Sequence, residues 1–180
     1  MTGHGIVIST DSFDSGDDSR VVHSNVTFVN ALFDESVSQS EVSADALRSY
    51  YVDFFQAQLE KGGFVQFAYS CGWNPDVVVA VREGLTAMGA VRHLTLYDEC
   101  AAVLDGFGEV RRTLFFEGQY TGPEREILND ADDRFFALSE DLTALNAAWL
   151  RAHPQLRVLS IADMSAEVAT HGTAAVRTLS

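Results

Sequence analysis

The chain has 180 residues, 47% of them hydrophobic, enough to build one globular domain with a sizeable core and to exclude wholesale disorder. Twelve Lys and Arg stand against twenty-six Asp and Glu, a formal charge of −14, so the chain repels nucleic acid and anionic membranes and attracts basic surfaces. Cys71 and Cys100 fall in apolar helical contexts and read as core thiols, and no cysteine or histidine pair has the spacing of a zinc site. The first ten residues lack a basic leader and the apolar run Val77 to Val81 is too short to span a bilayer, so a cytoplasmic protein is expected.

Taken in chain order, IVIST can form a short strand, and DSFDSGDDS reads as a mobile acidic loop. A calcium loop over Asp11 to Asp18 is excluded, because Phe13 and Val22 stand where oxygen ligands are required. NVTFVNALFDES places Val26, Val29 and Phe33 on one helical face, although its β-branched residues also suit a strand. From Ala44, the spacing of Leu47, Tyr50, Tyr51, Phe54, Phe55 and Leu59 predicts a helix with one apolar stripe, capped by Ser43. Gly62-Gly63 should end it, and Phe64, Phe67, Ala68 and Cys71 predict a second, short helix folded back against the first.

Asn74-Pro75 is a helix start, and Val78, Val81, Leu85 and Met88 should face inward before Gly89 terminates that element. A helix from about Thr95 to Leu104 buries Leu96, Cys100, Val103 and Leu104, and Gly106 and Gly108 break it. VRRTLFFEG reads as helix or strand. Leu128 to Leu138 and Ser139 to His153 follow as two helices, the second opened by Ser139 with Glu140 and Asp141 at its positive end. The tail after Pro154 has no decisive pattern. The expectation is an all-α fold in a single compact multi-helix domain, with IVIST as a short N-terminal β segment. It divides into an acidic, partly mobile segment 1–40, a helical domain 41–155 and a tail 156–180.

The stretch YYVDFFQAQLEKGGFVQFAYSCG resembles the helix, Gly-Gly-Phe turn and helix of the DNA-mimic protein 19 family, a bacterial domain family. The family's Asn-Gly-Gly-Phe-x-Gln-Phe motif appears here as Lys61-Gly62-Gly63-Phe64-Val65-Gln66-Phe67, with Lys61 in place of the asparagine. The resemblance continues through Ala87-Met88-Gly89-Ala90 and LNDADDRFFALSEDLTALNAAWLRAHP, covering roughly residues 40 to 155. It implies a helical fold and, for the best-understood member, binding of a transcription factor in place of DNA.

The charge is not spread evenly. Residues 98–141 hold twelve acids and four bases, whereas residues 63–97 hold two of each. Asp130, Asp132 and Asp133 open a predicted helix, where carboxylates complement the macrodipole. That does not account for Asp98, Glu99, Asp105 and Glu109, or for Glu117, Glu124 and Glu126. Helical residues three or four apart lie about 5–6 Å from each other. Successive phosphates lie about 7 Å apart along a strand rising 3.4 Å per nucleotide. Asp98, Glu99, Asp105, Glu109, Asp130, Asp132 and Asp133 are therefore the candidate phosphate substitutes, although the same charge also serves solubility.

The leading reading is an acidic binding protein, a DNA mimic that occupies the DNA site of a basic DNA-binding protein or transcription factor. The alternative is an immunity-type inhibitor of a basic toxin or nuclease. Neither needs a cofactor, metal, membrane or direct nucleic-acid contact, and either suits a monomer or homodimer. A small enzyme is the third class: His93 can be paired on paper with Asp98 and Glu99, or Cys71 with His93, but no nucleophile motif surrounds them. Asp130, Asp132 and Asp133 do not face one way on a helix, which disfavours a divalent-ion site. The aromatic run from Tyr50 to Trp73, with almost no positive charge beside it, reads as core packing rather than base stacking.

Overall fold

The computed structural model of the chain describes residues 4–120 and 122–178. In order they form β1 (Val7–Ser9), α1 (Thr10–Asp14), α2 (Asp18–Asp34), a 3-10 turn (Gln39–Glu41), α3 (Ala44–Ser70), α4 (Pro75–Ala87) and α5 (Val91–Asp105). α6 (Glu109–Phe116), α7 (Glu124–Phe136), α8 (Leu142–Ala152), β2 (Arg157–Leu159) and α9 (Ile161–Thr178) complete them. The fold is mostly helical, as expected, with one two-stranded parallel sheet pairing Val7 with Arg157, Ile8 with Val158 and Ser9 with Leu159. The predicted strand IVIST is β1. Chain contacts divide the protein into two compact units, residues 4–53 with 142–178 and residues 54–141.

In the first unit, the expected acidic loop is helical at both ends, in α1 and at the start of α2, with residues 15–17 as the turn between them. Ser9, at the end of the expected strand, and Asp17, read from sequence as a loop residue, are N-caps: Ser9 Oγ accepts from the Ser12 amide at 3.2 Å and Asp17 from the Ser19 amide at 2.9 Å. Ser and Asp serve loops and caps alike, because each satisfies a first-turn amide that the helix itself cannot. The inward face of α2 is Val21, Val22, Phe28, Val29 and Leu32, against Ile6, Val7, Ile8, Leu47 and Leu150. Of the three residues expected there, Val26 and Phe33 are only half-buried. Two buried amides tie helices to α3: Asn25 Nδ2 donates to the Ala46 carbonyl and Asn146 Nδ2 to the Ser49 carbonyl, both at 3.1 Å. The unassigned tail is β2 and α9; residues 1–3, 179 and 180 of the expected end segments lie outside the described residues.

The second unit is built on aromatic rings. Phe55 lies 5.0 Å from Phe67 and 5.3 Å from Tyr97, both edge-on, and Phe64 stacks parallel to Phe135 at 6.3 Å. The predicted break in α3 is present: Gly62 and Gly63 leave helical geometry, Gly63 with φ +75° and ψ −168°, a region closed to side-chain-bearing residues. α4 starts at the expected place, with Asn74 Oδ1 accepting from the Asp76 amide at 2.9 Å. α5 begins earlier than predicted, at Val91, and α6 resolves the helix-or-strand ambiguity of VRRTLFFEG as helix. α7 starts at Glu124, four residues before the sequence expectation. Glu124 and Glu126, not the aspartates, occupy its acidic first turn.

Candidate interaction surface

The Gly-Gly turn and the aspartate-rich helix, the two anchors of the sequence resemblance, meet. Asp132 Oδ1 accepts the Phe64 backbone N–H at 2.7 Å. A Cβ at Gly63 would fall 1.9 Å from Asp132 Oδ2, so the missing side chain is what admits the carboxylate. Asp132 is half-buried. Desolvation raises its pKa above the usual aspartate value, only partly offset by the Phe64 amide, and nearby Asp133 pushes the same way. This carboxylate holds a turn together.

Three more of the seven candidate phosphate substitutes are engaged within the same unit. Asp98 accepts from Arg82, with Nε–Oδ1 at 2.9 Å, and Glu99 takes Arg134 in a two-pronged pair at 2.6 and 3.1 Å. Asp105 accepts the indole N–H of Trp73 at 2.9 Å. Trp73 is buried with φ +52°, a left-handed conformation uncommon outside glycine, so the Asp105 bond fixes a residue at a tight reversal between α3 and α4. Glu109, Asp130 and Asp133 remain exposed, and among the described residues no hydrogen bond or ion pair holds their carboxylates. Asp130 lies mid-helix and Asp133 in the last turn, so the macrodipole does not explain them.

One exposed carboxylate belongs with these two: Glu126. Residues 126, 130 and 133 follow at steps of four and three, which places them within an arc of about 60° on α7 at 100° per residue. The opposite side carries Leu128, Ala131 and Phe135, all buried. Around this row most of the unit's arginines are engaged elsewhere, although Arg134, paired with Glu99, also interacts electrostatically with Asp130. Arg82 and Arg134 pair with Asp98 and Glu99, Arg92 donates to Ser139 Oγ and Arg112 to the Phe107 carbonyl, and Arg111 and Arg125 lie over aromatic rings. Residues 54–141 contain fifteen acids and seven bases, so the row sits in a field that the unit's own cations leave negative.

The pairs that sequence suggested for an enzyme are not formed. His93 is buried and its Nδ1 lies 2.7 Å from Glu140 Oε2, whereas Asp98 and Glu99 are each taken by an arginine. Glu140 also accepts the backbone amides of His93 at 2.9 Å and Arg92 at 3.3 Å, so it caps α5 instead of opening α8, whose first residue is Leu142. Burial opposes its ionisation, but the His93 amide and ring and the Arg92 amide together hold its carboxyl below the usual glutamate range. Sequence gave no sign of this pair: the partners are 47 residues apart and neither lies in a motif.

Both cysteines are free. Burial pushes the Cys71 thiol up and Cys100 to about 12, the reverse of what an activated nucleophile needs. Among the described residues no group of three or more His, Cys, Asp or Glu is placed to hold a metal ion, and no helix is long and apolar enough to cross a membrane. Trp73 packs on Phe64 at 5.9 Å. An apolar groove of about 270 Å³ lies between α2 and α9, and a more polar one of about 340 Å³ is lined by Arg20, His23, Asp53 and Thr143.

Compared with known proteins, residues 40–153 match a family model described as DMP19-like protein. No curated protein matches the chain, and no solved structure does.

Proposed function

Since the chain belongs to the DMP19-like protein family, we propose that it works by binding rather than by catalysis, as an acidic protein that occupies the DNA site of a basic DNA-binding protein. The observation that carries this reading is the exposed row Glu126, Asp130 and Asp133 on α7. At 1.5 Å of rise per residue the three carboxylates are spaced about 6 and 4.5 Å along the axis. Phosphates recur about 7 Å apart, so a row of this kind can meet two or three phosphate-binding positions of a DNA-reading surface. A preformed helix presents them without a backbone ordering cost at binding. Glu109, at the start of α6, adds a further unpaired carboxylate in the same unit. Asp98, Glu99, Asp105 and Asp132 serve the reading indirectly: they hold α4, α5, α7 and the glycine turn in place.

The test is retention of a basic partner from native lysate on the immobilised full chain, eluted by a salt gradient and challenged with duplex DNA. A DNA-binding protein released by moderate salt and displaced by duplex supports the reading. A retained nuclease, whose activity the chain suppresses, would shift it to toxin neutralisation. No basic protein retained at low salt would overturn it.

A further inference from the structure

Of the two grooves in the first unit, the polar one carries the chemistry of a small-ligand site. Its volume is about 340 Å³, within the range of about 300–1,000 Å³ usual for pockets that hold small molecules. Three helices line it: α2 with Arg20, Val22 and His23, α3 with Asp53, and α8 with Thr143. Arg20 and His23 are exposed and three residues apart, so both project from one face of α2. Arg48, Arg151 and Arg157 of this unit are each held by a carboxylate. No hydrogen bond or ion pair holds the Arg20 or His23 side chain among the described residues. Arg20 and Thr143 also stand in the first turns of their helices, where the macrodipole favours negative charge. The acids at the head of α2 are taken: Asp17 accepts the Ser19 amide and hydroxyl, and Asp18 holds Arg151.

Away from this cationic rim the lining changes sign, beginning with the half-buried Asp53. Val22, Asp53 and Thr143 each have a buried polar residue one turn along the same helix face: Asn25, Ser49 and Asn146. Both asparagine amide nitrogens donate to carbonyls of α3. Asn25 Oδ1, Asn146 Oδ1 and Ser49 Oγ have no hydrogen-bond partner among the described residues. Buried polar atoms almost always have one, and an amide oxygen can only accept. The junction of the three helices therefore offers donors at its rim and acceptors within.

We propose that this groove binds a small zwitterion of the α-amino-acid class, its carboxylate on Arg20 and His23 and its ammonium on Asp53. Arg20 offers a carboxylate a two-pronged match, and His23 donates an N–H in either protonation state. Asp53 has lone pairs for an ammonium beside any bond it already makes, and its charge repels a polyanion such as nucleic acid. Asn25 and Asn146 add acceptor oxygens on the ammonium side. Val22 gives a short side chain an apolar surface. The groove belongs to the first unit and the α7 row to the second, so this inference stands apart from the function proposed above.

The experiment titrates each proteinogenic L-amino acid singly into the isotope-labelled full chain and reads backbone amide shifts by NMR. At least one amino acid is expected to shift the amides of Arg20, His23 and Thr143 and to saturate below about 10 mM. Its N-acetyl and carboxamide derivatives, each lacking one charge, should bind roughly tenfold or more weakly. Arg20→Gln should weaken the parent amino acid by a similar factor. Asp53→Asn should weaken the amino acid and leave its N-acetyl derivative unchanged. Thermal melting checks both variants, and the blocked derivatives test the same contacts on the wild-type chain if a variant fails to fold. Absence of saturable shifts at these amides for every amino acid overturns the proposal. Equal binding of the parent and both derivatives overturns it too. So does inorganic phosphate shifting these amides at lower concentration than any amino acid, which would make the groove a plain anion site.

Discussion

Asp132 on α7 accepts the backbone N–H of Phe64 at 2.7 Å, and the space its carboxylate fills exists because Gly63 has no side chain. A charged residue that sequence reading assigned to a partner is thus part of the fold. Asp132→Ala should destabilise the protein by about 1–3 kcal/mol by orphaning that amide. Gly63→Ala should cost more, because it adds left-handed strain to the displacement of Asp132. Chemical denaturation of the two single variants and the double should show non-additivity, the clash being absent once Asp132 is gone. Additive costs would mean that the carboxylate and the turn are independent.

Two carboxylates of the same unit should respond to acid in opposite senses. The pKa of Asp132 is raised by burial, so its charged form penalises the folded state above that pKa, and the penalty fades as pH falls through it. The stability of Asp132→Asn relative to wild type should therefore be highest near neutral pH and decline on acidification. Glu140 is held low by His93 and Arg92, so its contribution is present above the unfolded glutamate value of 4.5 and is lost as pH falls through its depressed folded value. Wild type should exceed Glu140→Gln most at neutral pH and lose that margin in acid. Denaturation midpoints at several pH values read both slopes, and slopes of one sign would contradict the assignment.

The acidic residues should sort into two groups. Neutralising Asp98 or Glu99 removes the charged partner of Arg82 or Arg134, and should lower the melting temperature. Neutralising Glu109, Glu126, Asp130 or Asp133 should leave it level or raise it, since these face water amid excess negative charge. A melting series over single amide substitutions checks the division.

Trp73 gives a spectroscopic reading of the same idea. Its indole is buried and bonded to Asp105, so Asp105→Ala should loosen the reversal between α3 and α4. In a Trp149→Phe background, the emission of Trp73 should shift to the red while Asp105→Asn, which keeps an acceptor, should shift less. Equal emission in both variants would show that the bond does not hold the ring.

The helical fold was legible where local chemistry is unambiguous. The glycine pair, the Asn74-Pro75 start and the spacing of Phe55, Phe64 and Phe67 each have one physical reading, and each stands where it was expected. Residues 11–19 were read as loop because Ser and Asp are as suited to caps as to loops, and nothing local says that a helix follows Ser9 or Asp17. At the site, the acidic block was visible but its division was not. Whether a carboxylate is free depends on arginines and amides far along the chain: Arg134 for Glu99, 35 residues away, and Phe64 for Asp132, 68 residues away. Glu126 was passed over for the opposite reason, since its exposed position on the row becomes apparent only once α7 is known to begin at Glu124.

The measurement that tests the account most directly is binding of the purified partner as a function of salt, in competition with duplex DNA, for wild type and the Glu126→Gln/Asp130→Asn/Asp133→Asn variant. The account predicts mutually exclusive binding of the chain and DNA, with an affinity that falls steeply with salt for wild type and shallowly for the variant. Simultaneous binding of chain and DNA, or a salt slope that the three substitutions leave unchanged, would contradict it.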